Sequence, residues 1–344
     1  MTEIVSPPVL RPRAIANWLL AVAALVLVMI IVGGITRLTE SGLSITRWDP
    51  LSGAIPPLND ADWQAAFDLY RDSPQYQQVN RGMTLDDFKF IYFWEFIHRQ
   101  LGRLIGVAFA LPLIWFAVKK AIPKGYGWKL IALFALGGLQ GAIGWWMVAS
   151  GLVDVPEVSH IRLAVHLLTA FLIFGALLWV ALDLYRLAKA PDAKPAKMPL
   201  AAIWALALLA VQMLFGAYVA GLEAGYAFNT WPLMGERLYP EHAPWLEPAL
   251  RNFVDNPVLV QFVHRWLAFV AAAAIGWVAW RAWAAGEKSA AIHLTGAVTL
   301  QILLGIATIL TGVKLWIGVA HQGMAAVLLA FLLIAAHRLA LKRA

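Results

Sequence analysis

Four of the eight histidines, His98, His166, His264 and His321, stand inside long apolar stretches, each within two or three turns of one end. Taken singly, a histidine in such a stretch is most simply hydrogen-bonded to a neighbouring helix. Polar groups at membrane depth are costly and are functional candidates by default, and four at matched places favour a shared task. Two imidazoles projecting inward from two helices of a bundle can hold a planar macrocycle edge-on, with its iron between them. Zinc or copper fits less well, because each pair has no cysteine and no second carboxylate beside it. His160, His242, His293 and His337 fall near interfaces or in loops and are assigned no metal.

One carboxylate accompanies the first pair. Glu95 precedes His98 by one helical turn on the same face, while the matching place before His264 is Gln261. An amide serves as well as a carboxylate for hydrogen bonding alone, so Glu95 is the candidate for proton chemistry or for stabilising positive charge. The competing reading is a structural ion pair with Arg99 or Arg162. Arg99, Arg103 and Arg265, beside the presumed ligands, are candidate contacts for haem propionates, with snorkelling to lipid head groups as the alternative. Gly102, Gly106, Gly137, Gly138, Gly141 and Gly144 give room for a ring or allow close helix packing.

The elements that must position these residues are transmembrane helices. The chain has 344 residues, 61% of them hydrophobic and 14% charged, with a mean hydropathy of +0.70, which excludes a soluble globular protein. About 20 apolar residues cross ~30 Å of hydrocarbon, and eight stretches qualify: 16–36, 90–118, 129–149, 160–186, 199–221, 257–281, 290–312 and 317–337. Each must be helical, since lipid offers no partner for free backbone groups. With no cysteine, disulfides, thiolate ligands and thiol nucleophiles are excluded. The net charge of +7 comes from basic residues dispersed at helix ends, which argues for topology and against a nucleic-acid face.

Fifteen Lys and Arg residues lie in the N-terminal segment, the 119–129, 186–197 and 281–288 loops and the C-terminal tail, against eight in the much longer loops of the other side. Both termini are therefore expected in the cytoplasm. The first stretch, too long for a signal-peptide core, reads as a retained helix, and the start, with no mitochondrial transit pattern, looks bacterial. The two long outer segments, about 37–89 and 222–256, read as ordered loops with short interfacial helices.

A repeat organises the whole chain. Glu40-Ser-Gly42 with Trp48 returns as Glu223-Ala-Gly225 with Trp231. Phe96-Ile-His98-Arg99 returns as Phe262-Val-His264-Arg265, Leu139-Gln140 with Gly144 as Leu300-Gln301 with Gly305, and Ala164-Val165-His166 as Val319-Ala320-His321. The expected fold is an all-α integral membrane protein of two tandem four-helix bundles, residues 1–190 and 191–344. An even number of helices per unit gives both copies one orientation about a pseudo-two-fold axis along the membrane normal.

Glu95-Phe-Ile-His98-Arg99, the Glu40/Gly42 loop, Leu139-Gln140-Gly141, His166, Gln261-Phe-Val-His264-Arg265 and His321-Gln322 together resemble the haem A synthase family over nearly the whole chain. The resemblance implies oxidation of the C8 methyl of haem O to a formyl group, by two successive hydroxylations and loss of water. It implies that His98 and His166 hold the substrate haem O, with Glu95 close to its reacting edge, and that His264 and His321 hold a resident haem b. It also implies a bacterial plasma membrane location with haem sites toward the outer side. The implied partners are a haem O synthase, cytochrome oxidase assembly and the lipid bilayer, and a homo-oligomer is compatible. Some members carry a cysteine pair in an outer loop; this chain is of the cysteine-free type. A bis-haem cytochrome b that only carries electrons, and a transporter, are the rival readings.

Overall fold

The computed structural model describes residues 10–49 and 52–341. Lys342 and Arg343, two of the basic residues counted toward a cytoplasmic C-terminus, lie outside the described residues. Among the described residues the secondary structure is helical, without a named strand. Among the described residues eight helices are long and apolar enough to cross a membrane: α1 (Pro12–Leu38), α4 (Leu85–Val118), α5 (Gly127–Val148), α6 (His160–Lys189), α7 (Leu200–Gly221), α9 (Pro257–Ala284), α10 (Lys288–Leu310) and α11 (Leu315–Leu341). Three shorter helices, α2 (Asp60–Arg71), α3 (Pro74–Gln78) and α8 (Asn252–Asp255), lie in the two long loops, as expected there.

Helix ends follow local chemistry more than hydropathy. Thr84 opens α4 with a reciprocal capping box: its hydroxyl accepts from the Asp87 amide, and the Asp87 carboxylate accepts from the Thr84 amide. This cap starts α4 five residues before the predicted span, because backbone hydrogen bonding continues past the point where apolar residues stop. His98 accordingly lies deeper along its helix than the two or three turns expected. Ser159 caps α6, and Asn256, followed by Pro257 at the first helical position, caps α9.

The repeat reaches the backbone. Glu40 and Glu223 both adopt φ of 53°, a left-handed conformation uncommon outside glycine. Each is followed by one 3₁₀ turn, Ser41–Leu43 and Ala224–Tyr226. Two packing pairs repeat, α1 on α4 as α7 on α9 and α5 on α6 as α10 on α11, while α1 packs far more extensively on α6 than α7 does on α11. Helix α1 lies against α4 and α6, and α5 against α6; α7 packs on α9, and α10 on α9 and α11. Between the halves, α1 meets α11 and α6 meets α7, which are equivalent pairs in the repeat, and α6 also touches α11.

Specific bonds hold that junction. Gln322 on α11 donates to the Ile30 carbonyl of α1 at 2.6 Å, and Arg37 donates to the Ala220 carbonyl and pairs with Glu223 at 3.1 Å. His337 and Asp183, both buried, meet at 3.0 Å; the sequence had put His337 near an interface, but the α6–α11 packing encloses it. The continuous apolar core, including Leu19, Leu177, Leu294 and Leu332, runs through both halves. Large side chains such as Leu111, Ile131, Trp204 and Leu303 face outward, as a hydrocarbon solvent requires. A second cluster, Phe67, Tyr70, Phe88 and Ile91, seats α2 on α4. Gln75 then ties this loop to the Glu40 carbonyl at 2.9 Å, so the loop is an ordered cap over one end of the first half.

Candidate functional site

Helices α4 and α6 bring His98 and His166 together with ring centroids 6.5 Å apart and planes 33° from parallel. Helices α9 and α11 bring His264 and His321 to 6.4 Å, with planes at 89°. An imidazole nitrogen about 2 Å from a metal on each side puts the two centroids roughly 6 Å apart, so both gaps match one ion shared by two rings. Among the described residues no three or more His, Cys, Asp or Glu converge as ligands for a metal ion. Two donors suit a metal that brings its remaining ligands with it, as the iron of a macrocycle does. Both pairs therefore fit a bis-histidine haem, and a bare zinc or copper ion is poorly served.

Each imidazole lies on a glycine of the neighbouring odd span. A Cβ added at Gly144, Gly216 or Gly305 would come within 2.9 Å of Cε1 of His166, His264 or His321, and one at Gly33 within 3.1 Å of Cε1 of His98. A side chain at Gly144, Gly216 or Gly305 would force its ring to move, and one at Gly33 would press on His98 more lightly. By contrast, an added Cβ at Gly106, Gly137, Gly138 or Gly141 meets nothing within 4 Å, so these positions are open and do not mark tight helix packing.

One turn before three of these glycines stands a glutamine. Gln212 Nε2 lies 3.1 Å from Nδ1 of His264 and donates to the His264 carbonyl at 2.9 Å. Nδ1 of His264 also lies 3.2 Å from the Gln212 carbonyl oxygen. Gln301 Nε2 lies 3.2 Å from Nδ1 of His321, and Gln140 Nε2 donates to the His166 carbonyl at 2.9 Å. The sequence offered Gln140 and Gln301 only as landmarks of the repeat. Gln212, Gly33 and Gly216 carried no motif then, and the signal that could have found them is the recurring Gln-x-x-x-Gly spacing.

Glu95 is buried and fully engaged. One carboxylate oxygen accepts from the Ser44 hydroxyl at 2.7 Å and the Ile45 amide at 2.8 Å. The other pairs with Arg99 at 2.7 Å. The ion pair considered from the sequence thus exists, with Arg99 as partner; Arg162 instead donates to the Trp146 carbonyl and stacks on its ring. Arg99 also donates to the carbonyls of Ile45 and Arg47. Arg265 makes the same bonds to the carbonyls of Phe228 and Thr230, and Gln261 donates to Phe228 at 3.0 Å. Both arginines therefore pin the loop that follows a Glu40-type turn, next to the candidate histidine on their own helix.

Arg103 donates to the Asp49 carbonyl and, with Ile45, Asp49, Tyr92 and Arg99, lines an outward cleft of about 320 Å³. The equivalent of Arg103 in the second half is Phe269, which stacks with Trp231. Of the remaining histidines, His160 pairs with Asp255 at 3.1 Å and His293 lies against the Ser289 carbonyl, apart from either ligand pair.

The chain matches the family model described as cytochrome oxidase assembly protein, COX15-CtaA, over residues 16–333. It is 56% identical to the heme A synthase of Rhizorhabdus wittichii over 329 residues, covering 96% of this chain and 95% of that protein. It is 52% identical to the heme A synthase of Sphingopyxis alaskensis, covering 96% and 93%, and 50% identical to that of Rhodospirillum centenum, covering 95% and 89%.

Proposed function

The chain belongs to the cytochrome oxidase assembly protein family, and from that membership we propose that it is a haem A synthase, oxidising the C8 methyl of haem O to a formyl group in two hydroxylations with loss of water. The observation that carries this reading is an asymmetry inside a duplicated frame: two facing histidine pairs of nearly equal spacing, with a buried carboxylate beside only one of them.

In this reading residues 1–190 bind the substrate and residues 191–344 hold the resident cofactor, the two bundles being related by an axis along the membrane normal. His98 and His166 hold haem O; His264 and His321 hold haem b. The bound haem b supplies electron transfer. The chain's own residues do the rest. Gly33, Gly144, Gly216 and Gly305 admit the imidazoles, while Arg99 and Arg265 fix the outer loops above them. Glu95, held by Ser44, Ile45 and Arg99, offers a fixed negative charge where oxidation of a conjugated methyl leaves a cation-like carbon, and can accept a proton from attacking water. Arg103 at the cleft rim and Arg99 and Arg265 are the candidates for propionate contacts. The protein sits in a bacterial plasma membrane with both termini cytoplasmic and both sites toward the outer side. It receives haem O from its synthase and serves oxidase assembly.

Purified protein tests this directly. Extracted pigment is expected to contain haem b together with haem O or an oxidised derivative. Haem b alone, from cells that make haem O, would instead identify an electron carrier.

A further inference from the structure

Of the groups bonded to Glu95 among the described residues, only the Ser44 hydroxyl can both give and take a hydrogen. Arg99 Nε and Nη2 donate to Glu95 Oε1 at 3.1 and 2.7 Å, and the Ile45 amide donates to Oε2 at 2.8 Å. Guanidinium and backbone N–H groups are donors alone. The Ser44 hydroxyl donates to the same Oε2 at 2.7 Å, and its oxygen also carries acceptor lone pairs. The other acceptor near that hydroxyl, the Ile91 carbonyl, lies at 3.5 Å, the outer limit of a hydrogen bond. Ser44 and Glu95 are 2% and 3% exposed, so the pair is shielded from bulk water.

The repeat shows what accompanies this hydroxyl. Counting from Glu40 and Glu223, Ser44 corresponds to Ala227 and Ile45 to Phe228. The backbone is alike, since Ser44 and Ala227 both end the 3₁₀ turn in the right-handed helical conformation. Arg99 and Arg265 bond the same two loop carbonyls. In the second half, however, Ala227 is exposed, Gln261 donates to the Phe228 carbonyl, and Gln261 Oε1 is buried without a partner. Hydroxyl and carboxylate thus occur together in one half and are both missing from the other, although the turn forms in each. Ser44 is not needed to shape the turn.

Resting on the role given to Glu95 above, we propose that Ser44 is a positioning residue for proton uptake by Glu95, donating to the carboxylate at first and turning to accept the new O–H once Oε2 has taken a proton. In that step an O–H bond of the attacking water breaks, the water oxygen bonds the cation-like carbon, and the proton forms the O–H bond on Glu95. No electron changes hands. Without the hydroxyl, protonated Glu95 would point its O–H among donors only, and a buried donor left unpaired carries its full desolvation cost.

A double-mutant cycle on the holoprotein tests this, with haem A formation as the rate and haem content per chain as the control. Ser44→Ala is expected to slow the reaction about 10–100-fold, the span of one hydrogen bond to a charged group, with haem content unchanged. In the Glu95→Gln background the same exchange should change the rate by less than about two-fold, because groups that act as a unit are not additive. Ser44→Thr, which keeps the hydroxyl, should restore the rate to within a few-fold of the parent. The proposal is overturned if Ser44→Ala works at the parental rate while Glu95→Gln does not, or if the two exchanges multiply. Should Ser44→Ala fail to accumulate, Ser44→Cys, close in shape but a weak donor, is read against the same outcomes. A Glu95→Gln protein that makes haem A at the parental rate is a separate result, which would sink the role of Glu95 itself.

Discussion

Where the N-terminal half places Glu95 one turn before its first histidine, the C-terminal half places Gln261, and both side chains are buried. The surroundings are otherwise alike: Arg99 and Arg265 make the same two bonds to loop carbonyls, and the turn before that loop has the same left-handed residue. A neutral amide therefore suffices to complete this corner, and the charge on Glu95 is not needed to build it. The rims differ in the same sense. Arg103 borders a cleft in the first half, while its counterpart Phe269 stacks with Trp231, and Trp231 with Trp266, in the second. One rim is polar and the other aromatic, as expected if one half exchanges its occupant and the other keeps it.

The comparison breaks most severely at the ligands. His264→Ala or His321→Ala should empty the C-terminal site and abolish haem A formation while the N-terminal site still binds, read as haem content per chain. Next is Glu95→Gln, which makes the first half resemble the second. Loss of general acid–base action is typically about 10²–10⁴-fold, so haem A formation should fall by that order with haem content unchanged. Gln261→Glu should leave the rate within about two-fold, since no chemistry is assigned there. Equal effects of the two exchanges would remove the distinction between the halves.

Smaller changes sharpen it. Gly216→Ala and Gly305→Ala drive a methyl into a ligand ring; overpacking of this kind costs about 1–3 kcal/mol, seen as weakened retention of the C-terminal haem. Gly137→Ala, on an open surface of α5, should leave retention unaltered. Smallest is Arg37→Ala, which removes the partly exposed pair with Glu223 and the bond to the Ala220 carbonyl between the halves. Surface pairs contribute about 0–1 kcal/mol, so the thermal midpoint should move by a few degrees at most.

Eight spans, the repeat, the four histidines and the Glu95/Gln261 difference were all legible in the residues. Hydrocarbon demands long apolar helices, and duplication copies residue types in order, so one-dimensional patterns carried that much. Span ends were less legible: α4 begins at its Thr84 cap, and capping depends on a few hydrogen bonds that hydropathy does not register. The partner of Glu95 was also undecided between Arg99 and Arg162, because both arginines sit near the outer surface in sequence terms. The folded chain settles it: Arg99 lies one turn on along the same helix, while Arg162 turns to Trp146 on α5.

By itself, then, the amino-acid order determined that this is a helical protein with eight spans long and apolar enough to cross a membrane, built on an internal repeat with histidines at repeating places. Only the tertiary structure decided which imidazoles face each other, which glycines make room for them and which glutamines reach their far nitrogens. Those contacts join residues on different helices, often dozens of positions apart. Helix rotation and crossing bring them together, and both are set by the packing of whole faces, which no local spacing encodes.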